Sequence, residues 1–256
     1  MSPAIIGKEH THLDVTDSTN TYLMSLAANG AQEGLVVTAR CQTAGQGRRG
    51  RSFQSTAGLG LYLSVLVRPK MSPIEVPELT AWTAAAVCDG IEAACGRRPG
   101  IKWPNDLVAD GHKLGGILTE LALNPDGSLS HVVIGIGINL SHRRQDFDPE
   151  LRDMAVSLSQ WLGQPPDGEK LTQSLIESLD RMYSRFPAGR QEYLDRYRSD
   201  CINTGNQVRV LSARSSREGT ALGIDDRFRL LVRWQDGTQE TLSAGEVSVR
   251  GLYGYV

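Results

Sequence analysis

The sequence has no run of about 18 unbroken apolar residues, so it offers no candidate for a membrane-spanning helix. Its start, MSPAIIGKEH, lacks a basic stretch followed by an apolar core, so no secretory signal is read there. An excess of one charge is missing too. Its 27 Lys and Arg against 29 Asp and Glu give a formal net charge of −2, which predicts no broadly basic surface for a nucleic-acid backbone. Any handling of anions must come from a local cluster of positive charge. Cysteine is scarce: Cys41, Cys88, Cys95 and Cys201 form no CxxC pair and have no His at zinc-ligand spacing. Cys88 and Cys95 stand two turns apart on one face of a helix-like stretch, too far for a disulfide, so free, buried thiols are expected. Repeats and low-complexity tracts are absent. These absences leave a reduced, globular, cytoplasmic protein with no membrane partner.

What is present fills 256 residues, 40% of them hydrophobic, enough for one sizeable domain and a small one. Asp17-Ser18-Thr19-Asn20 offers capping side chains ahead of Tyr22, Leu23, Leu26 and Ala27, which share a helical face. Leu35 to Ala39 reads as a strand, residues 40–60 as a Gly, Arg and Ser segment without periodicity, and Leu61 to Val67 as an apolar strand. Ser72-Pro73-x-Glu75 has the form of a capping box and opens a helix with Leu79, Trp82, Val87 and Ile91 inward. Strands follow around Leu114 to Leu123 and His131 to Leu140, then a helix from Glu169 to about Asp200. After Gly205, Val208 and Val210 alternate with polar neighbours, Phe228 to Trp234 reads as a strand, and Gln235 to Thr238 as a hairpin turn. Thr241, Leu242, Val247 and Val249 complete a small β-barrel module. The expected architecture is α/β (α+β): a mixed β-sheet with flanking helices over residues 1–204 and a small β-barrel over 205–256.

Three segments carry the chemistry. Gly45-Gln-Gly47-Arg48-Arg49-Gly50-Arg51 packs three glycines and three arginines into seven residues. Glycine lets the backbone turn its N–H groups toward one point, and arginine adds permanently charged donors matched to carboxylate and phosphate oxygens. Such a loop suits holding two anions against their repulsion, although a solvated basic loop has the same composition. The dinucleotide fingerprint Gly45-x-Gly47-x-x-Gly50 is also met, but no amphipathic helix follows it and Glu75, the nearest acid to the expected offset, already fits a cap. Second comes Lys102-Trp-Pro-Asn105-Asp106, with Lys113-Leu-Gly115-Gly116 downstream: a turn that supplies a cation and a carboxylate. Third, Gly135-x-Gly137-x-Asn139 leaves two bare spots on one face of a strand, where a flat ring has room to lie.

Taken with the Ser18-Thr19-Asn20 entry and Gln42, these blocks resemble the biotin–protein ligases in order and spacing over residues 14–140, and the β-rich tail resembles that family's SH3-like C-terminal domain. The resemblance implies a catalytic domain of the biotinyl/lipoyl-ligase type. It implies two steps, with ATP and biotin as substrates and Mg²⁺ as helper: formation of biotinyl-5′-AMP and pyrophosphate, then transfer of biotin to a lysine of a biotin carboxyl carrier protein. By position, Ser18, Thr19, Asn20, Gln42, Gly45, Arg48, Lys113 and Gly116 line the biotin pocket. Arg48, Arg51, Phe53, Asn105, Asp106, Lys113 and Asn139 meet ATP or the adenylate, and Asp106 and Asn139 are the candidate metal ligands. Arg48, Lys113 and Asp106 carry the catalysis, Asp106 by drawing a proton from an incoming lysine whose reference pKa is about 10.4.

Two departures stand out. Gln46 replaces an arginine common in the family, which implies a looser hold on the adenylate. No helix-turn-helix segment precedes residue 14, so no DNA partner is expected, while sheet-edge homodimers occur among relatives. A lipoate or octanoate ligase and a non-catalytic biotin sensor are the alternatives. Residues 155–161 are the expected cover of the adenylate, with Trp161 equally suited to plain core.

Overall fold

The computed structural model describes residues 4–212, 216–244, 248–251 and 255. Seven strands form the main sheet: β1 (His10–Thr16), β2 (Val36–Gln42), β3 (Gly60–Val67), β4 (Gly100–Lys102), β5 (Asp106–Ala109), β6 (His112–Leu123) and β7 (Leu129–Asn139). Their spatial order is β1-β2-β3-β7-β6-β5-β4. β1 and β2 run parallel and every other neighbouring pair antiparallel, so the sheet is mixed as expected.

Alternation along the strands assigns the two faces. Leu61, Leu63, Val65 and Val67 of β3, with Val132, Ile134, Ile136 and Ile138 of β7, join the main hydrophobic core. Over that face lies α2 (Val76–Cys95), itself covered by α4 (Gly168–Arg185) and α5 (Arg190–Asp200), which follow the short α3 (Leu158–Leu162) in the chain. Trp82 of α2 is fully buried and stacks on Tyr193 of α5, ring centres 4.6 Å apart. Truncating such a side chain costs about 3–5 kcal/mol. The opposite residues, Leu66 of β3 and Val133 of β7, meet Leu23 and Ala27 of α1 (Thr19–Ala28) in a second, smaller cluster. α2 opens where the sequence places it, through a 3-10 turn in which the Glu75 carboxylate accepts from Ser72 N at 2.9 Å. It closes on Gly96 in the left-handed region, φ 74°.

The helix expected from Glu169 to about Asp200 is in fact two. Arg185 ends α4 because Phe186 precedes a proline and takes extended backbone, φ −75° and ψ 135°. β1, an addition to the expected elements, is an edge strand with few buried residues.

The second sheet holds β8 (Gln207–Leu211), β9 (Ser216–Ile224), β10 (Leu230–Trp234), β11 (Gln239–Leu242) and β12 (Ser248–Gly251), all antiparallel in the order β11-β10-β9-β8-β12. This is the SH3-like unit. Phe228 belongs to the turn ahead of β10, with φ 57°, and Val247 lies outside the described residues. At the Trp103 turn the unit meets the first sheet: Trp103 Nε1 donates to Phe228 O at 2.9 Å, while Trp103 N donates to Asn203 Oδ1 at 2.6 Å in the segment that leads into the second unit. Tyr197 closes the joint, its ring edge-on to Phe228 and its hydroxyl donating to Pro104 O at 3.0 Å. Unpaired backbone groups buried at this turn would cost about 1–3 kcal/mol each, so these bonds hold residues 103–106 in place.

All four cysteines are free. Burial pushes the Cys88, Cys95 and Cys201 thiols up, which disfavours the thiolate. Among the described residues no helix is long and apolar enough to cross a membrane.

Candidate active site

A cavity of about 480 Å³ opens where the start of α1, the loop after β2 and the face of β3, β7 and β6 opposite α2 meet. One end is polar and uncharged. Gln42 Oε1 accepts from Thr19 N at 2.8 Å, which fixes the orientation of the amide, and Gln42 Nε2 donates to Ser55 Oγ at 2.9 Å. The Thr19 hydroxyl lies 3.0 Å from Gln42 Oε1 and 2.8 Å from Ser64 Oγ. Ser18 is buried at the cap of α1 and its hydroxyl makes no capping bond to the helix. Asn20 is fully committed: Nδ2 donates to Glu120 Oε2 at 2.7 Å and to Leu118 O, while Oδ1 accepts from Ser64.

The floor is not bare. A Cβ at residue 135 would fall 2.2 Å from Asn20 Oδ1, and one at residue 137 would fall 2.7 Å from the Phe53 ring. The two glycines thus make room for protein side chains. A flat ring does lie over Gly137, and it is that of Phe53, set edge-on to Tyr62 with centres 6.4 Å apart. A ligand ring has to pack against Phe53.

The other end is cationic. Among the described residues, Arg48, Arg49, Arg51, Lys102, Lys113 and Arg209 line it against one carboxylate, Asp106. The loop that carries the first three is ordered by Gly47 N to Arg51 O at 2.7 Å and Phe53 N to Gly45 O at 2.9 Å. Its left-handed backbone falls at Arg49 (φ 61°) and Gly50 (φ 72°), not at Gly45 or Gly47. Gly45 lies outside the lining and serves packing: a Cβ there would meet Phe53 O and Ser55 Oγ at 2.4 Å. Arg48 Nη1 donates to Asn105 Oδ1 at 3.0 Å and Nη2 to Ala244 O. Burial opposes the Arg48 charge and Asp106 supports it.

β5 and β6 bring Asp106 to Lys113, whose Nζ donates to Oδ1 at 2.7 Å. Gly116, paired with Asp106 across the ladder, leaves the carboxylate room: a Cβ there would sit 3.1 Å from Oδ1. The Tyr255 hydroxyl donates to Oδ2. Burial pushes the Asp106 carboxyl up. The Lys113 ammonium, hydrogen bonds from Lys113 and Tyr255, and Lys102 outweigh it, so Asp106 lies below the usual carboxylate value and is ionised at neutral pH.

Asn139 stands apart. It is not in the lining, and its Nδ2 donates to Lys113 O and Val156 O, which clamps the backbone behind Lys113. Among the described residues no group of three His, Cys, Asp or Glu could hold a metal ion. Asp106, with a cation on one oxygen and a phenol on the other, is the lone acid that lines the cavity among the described residues. This donor set does not fit a protein-held metal. The cover also differs: Leu151 and Met154 edge the cavity, whereas Trp161 is core, with the Arg97 guanidinium 4.3 Å from its ring centre. Four lining residues that the sequence does not place at the site, Arg209, Val249, Gly251 and Tyr255, come from the second unit.

The model of the biotin/lipoate A/B protein ligase family matches residues 12–139, and that of the biotin protein ligase C terminal domain matches residues 204–250. The chain is 38% identical over 241 residues to the bifunctional ligase/repressor BirA of Bacillus spizizenii, a match that covers 94% of this chain and 74% of that one. To a biotin–[acetyl-CoA-carboxylase] ligase of Mycobacterium tuberculosis it is 34% identical over 253 residues, covering 94% and 90%. The structure of the biotin protein ligase from Aquifex aeolicus in complex with biotin and ATP superposes with a TM-score of 0.81 at 26% identity, covering 95% and 99%.

Proposed function

The chain belongs to the biotin/lipoate A/B protein ligase family, and on that premise we infer that it is an ATP-dependent biotin–protein ligase. It forms biotinyl-5′-AMP and pyrophosphate, then hands biotin to a lysine of a biotin carboxyl carrier protein. The observation that carries this reading is the convergence of Arg48, Lys102 and Lys113 on one end of a cavity whose other end is the uncharged Thr19–Gln42 network. An uncharged, hydrogen-bonding end suits the ureido ring of biotin, and the cationic end suits its carboxylate beside an α-phosphate. There the carboxylate oxygen attacks phosphorus, the bond to pyrophosphate breaks, and charge on the phosphoryl oxygens is met by preorganised donors. Mg²⁺ enters as counter-ion to the ATP phosphates, because a hard cation needs more oxygen ligands than Asp106 supplies.

In the second step we assign Asp106 the role of receiving a proton from the carrier lysine, since among the described residues it is the one carboxylate that lines the cavity, and it is ionised. Phe53 packs against adenine, and Asn139 acts only by holding Lys113. Residues 1–204 form the catalytic unit, and residues 205–256 add a wall to it. The four free thiols support a reducing, cytoplasmic setting. The deciding experiment is exchange of labelled pyrophosphate into ATP. Exchange with biotin and none with lipoate is expected; exchange driven by lipoate, or by neither acid, refutes the assignment.

A further inference from the structure

Asp106 has two carboxylate oxygens and both are taken. Oδ1 belongs to Lys113, a neighbour on the adjoining strand whose own backbone is tied by Lys113 N to Met154 O at 2.7 Å. Oδ2 belongs to Tyr255, 149 residues away in sequence and beyond the last strand of the second unit. Tyr255 is half-buried and held at two further points. Its carbonyl oxygen accepts from Lys102 Nζ, and that ammonium lies 3.7 Å from the centre of its ring. Lys102 is buried, at 5% exposure, so the ring and the carbonyl help to offset its desolvation.

A phenol O–H and an ammonium N–H make the same kind of charge-assisted bond to a carboxylate. The Oδ1 side is closed by a strand partner, so an acceptor amine has to be received at Oδ2. We propose that Tyr255 is the chain's own occupant of the acceptor-lysine subsite at Asp106 Oδ2, and that the carrier lysine displaces its hydroxyl. This rests on the ligase reading and on the role given to Asp106 within it. While the hydroxyl is in place, the base is engaged and a stray amine finds no proton acceptor beside the adenylate. A lysine that displaces it passes one proton from its ammonium to Asp106. The freed amine nitrogen attacks the acyl carbon of the mixed anhydride, and the carbon–oxygen bond to phosphate breaks. AMP leaves with that electron pair, and the nitrogen sheds its second proton to solvent to give the amide.

The test uses the full chain and two variants, Tyr255→Phe, which keeps the ring over Lys102, and Tyr255→Ala. Biotin-dependent pyrophosphate exchange and biotinylation of free Nα-acetyl-lysine amide, whose ammonium needs a base, are measured side by side. The ratio of free-amine capture to exchange should rise at least fivefold in Tyr255→Phe. The acid limb of the capture profile should also move to higher pH, because a donor that holds the Asp106 carboxyl down is gone. A ratio that stays level, or two rates that fall in proportion as damage to the fold would produce, overturns the proposal. Absence of exchange in the unaltered chain overturns the ligase reading itself, and this proposal with it.

Discussion

Arg48 Nη1 lies 3.0 Å from Asn105 Oδ1, so the arginine loop after β2 is latched to the turn that presents Asp106. Two segments 57 residues apart act as one clamp.

Arg48→Ala removes both the latch and a fixed cation. Loss of one preorganised donor at a developing charge costs about 10²–10³ in rate, so pyrophosphate exchange should fall by that much. Arg48→Lys should recover little, since an ammonium cannot supply the planar pair of donors. Gln46→Arg is expected to act in the opposite sense: Gln46 lines the cavity, and a charge there should lengthen the lifetime of bound biotinyl-5′-AMP about threefold or more in a filter-binding assay.

Asp106→Ala should leave exchange within about tenfold of the parent chain while carrier biotinylation falls about 10²-fold or more, the usual loss for a general base. Single-turnover transfer from preformed adenylate separates the two steps. Normal rates in both would remove Asp106 from the mechanism. Lys113→Met leaves Asp106 Oδ1 without its ammonium partner and should cost about 2 kcal/mol in urea unfolding. Combining it with Asp106→Asn should restore part of that loss, which a double-mutant cycle measures directly.

Gly137→Ala pushes a Cβ to 2.7 Å from the Phe53 ring. Overpacking of this kind costs about 1–3 kcal/mol, and the displaced ring should raise the KM for ATP about tenfold. Phe53→Leu in the same chain makes room and should return the melting temperature toward the parent value, while the KM stays high.

Burial pushes His10, His131 and His142 below the ordinary imidazole value; His12 adds to this at His10, Arg68 adds at His131, and Asp146 opposes it at His142. For a base whose folded pKa is depressed, the unfolded chain takes the proton first. Stability is therefore full above about pH 6.5 and lost as pH falls through the folded values. The melting temperature should drop between pH 7.5 and 5.5. His142 is 1% exposed and stacked on Phe147, so His142→Phe should preserve the packing and shrink that drop. An unchanged drop would place the proton uptake elsewhere.

Much of the fold was legible where apolar periodicity is strong. β3, β7 and α2 are bounded within a few residues because their inward positions are nearly all apolar. β1 was not, since an edge strand reading His-Thr-His-Leu-Asp buries too little to alternate clearly. The break at Pro187 was legible in principle from the proline alone. In the site, Arg48, Asp106 and Lys113 could be picked out because each sits in a short motif of unusual chemistry. Tyr255 could not, because nothing local marks a residue whose partner lies 149 positions away. Arg209 pairs with Glu218 on the neighbouring strand, an ordinary cross-strand ion pair that gives no pointer to the cavity. Asn139 shows the converse: its motif is visible, yet its amide spends its donors on Lys113 O and Val156 O.

The glycine pair in β7 also bears on reshaping the cavity. Because the sheet contributes no side chain at residues 135 and 137, depth there is set by Asn20 and Phe53, which come from a helix and a loop. An effort to admit a bulkier acid or an altered nucleotide would begin by trimming those two residues. The strands beneath could then stay untouched, and the hydrogen-bonded ladder that carries the rest of the site would survive the redesign.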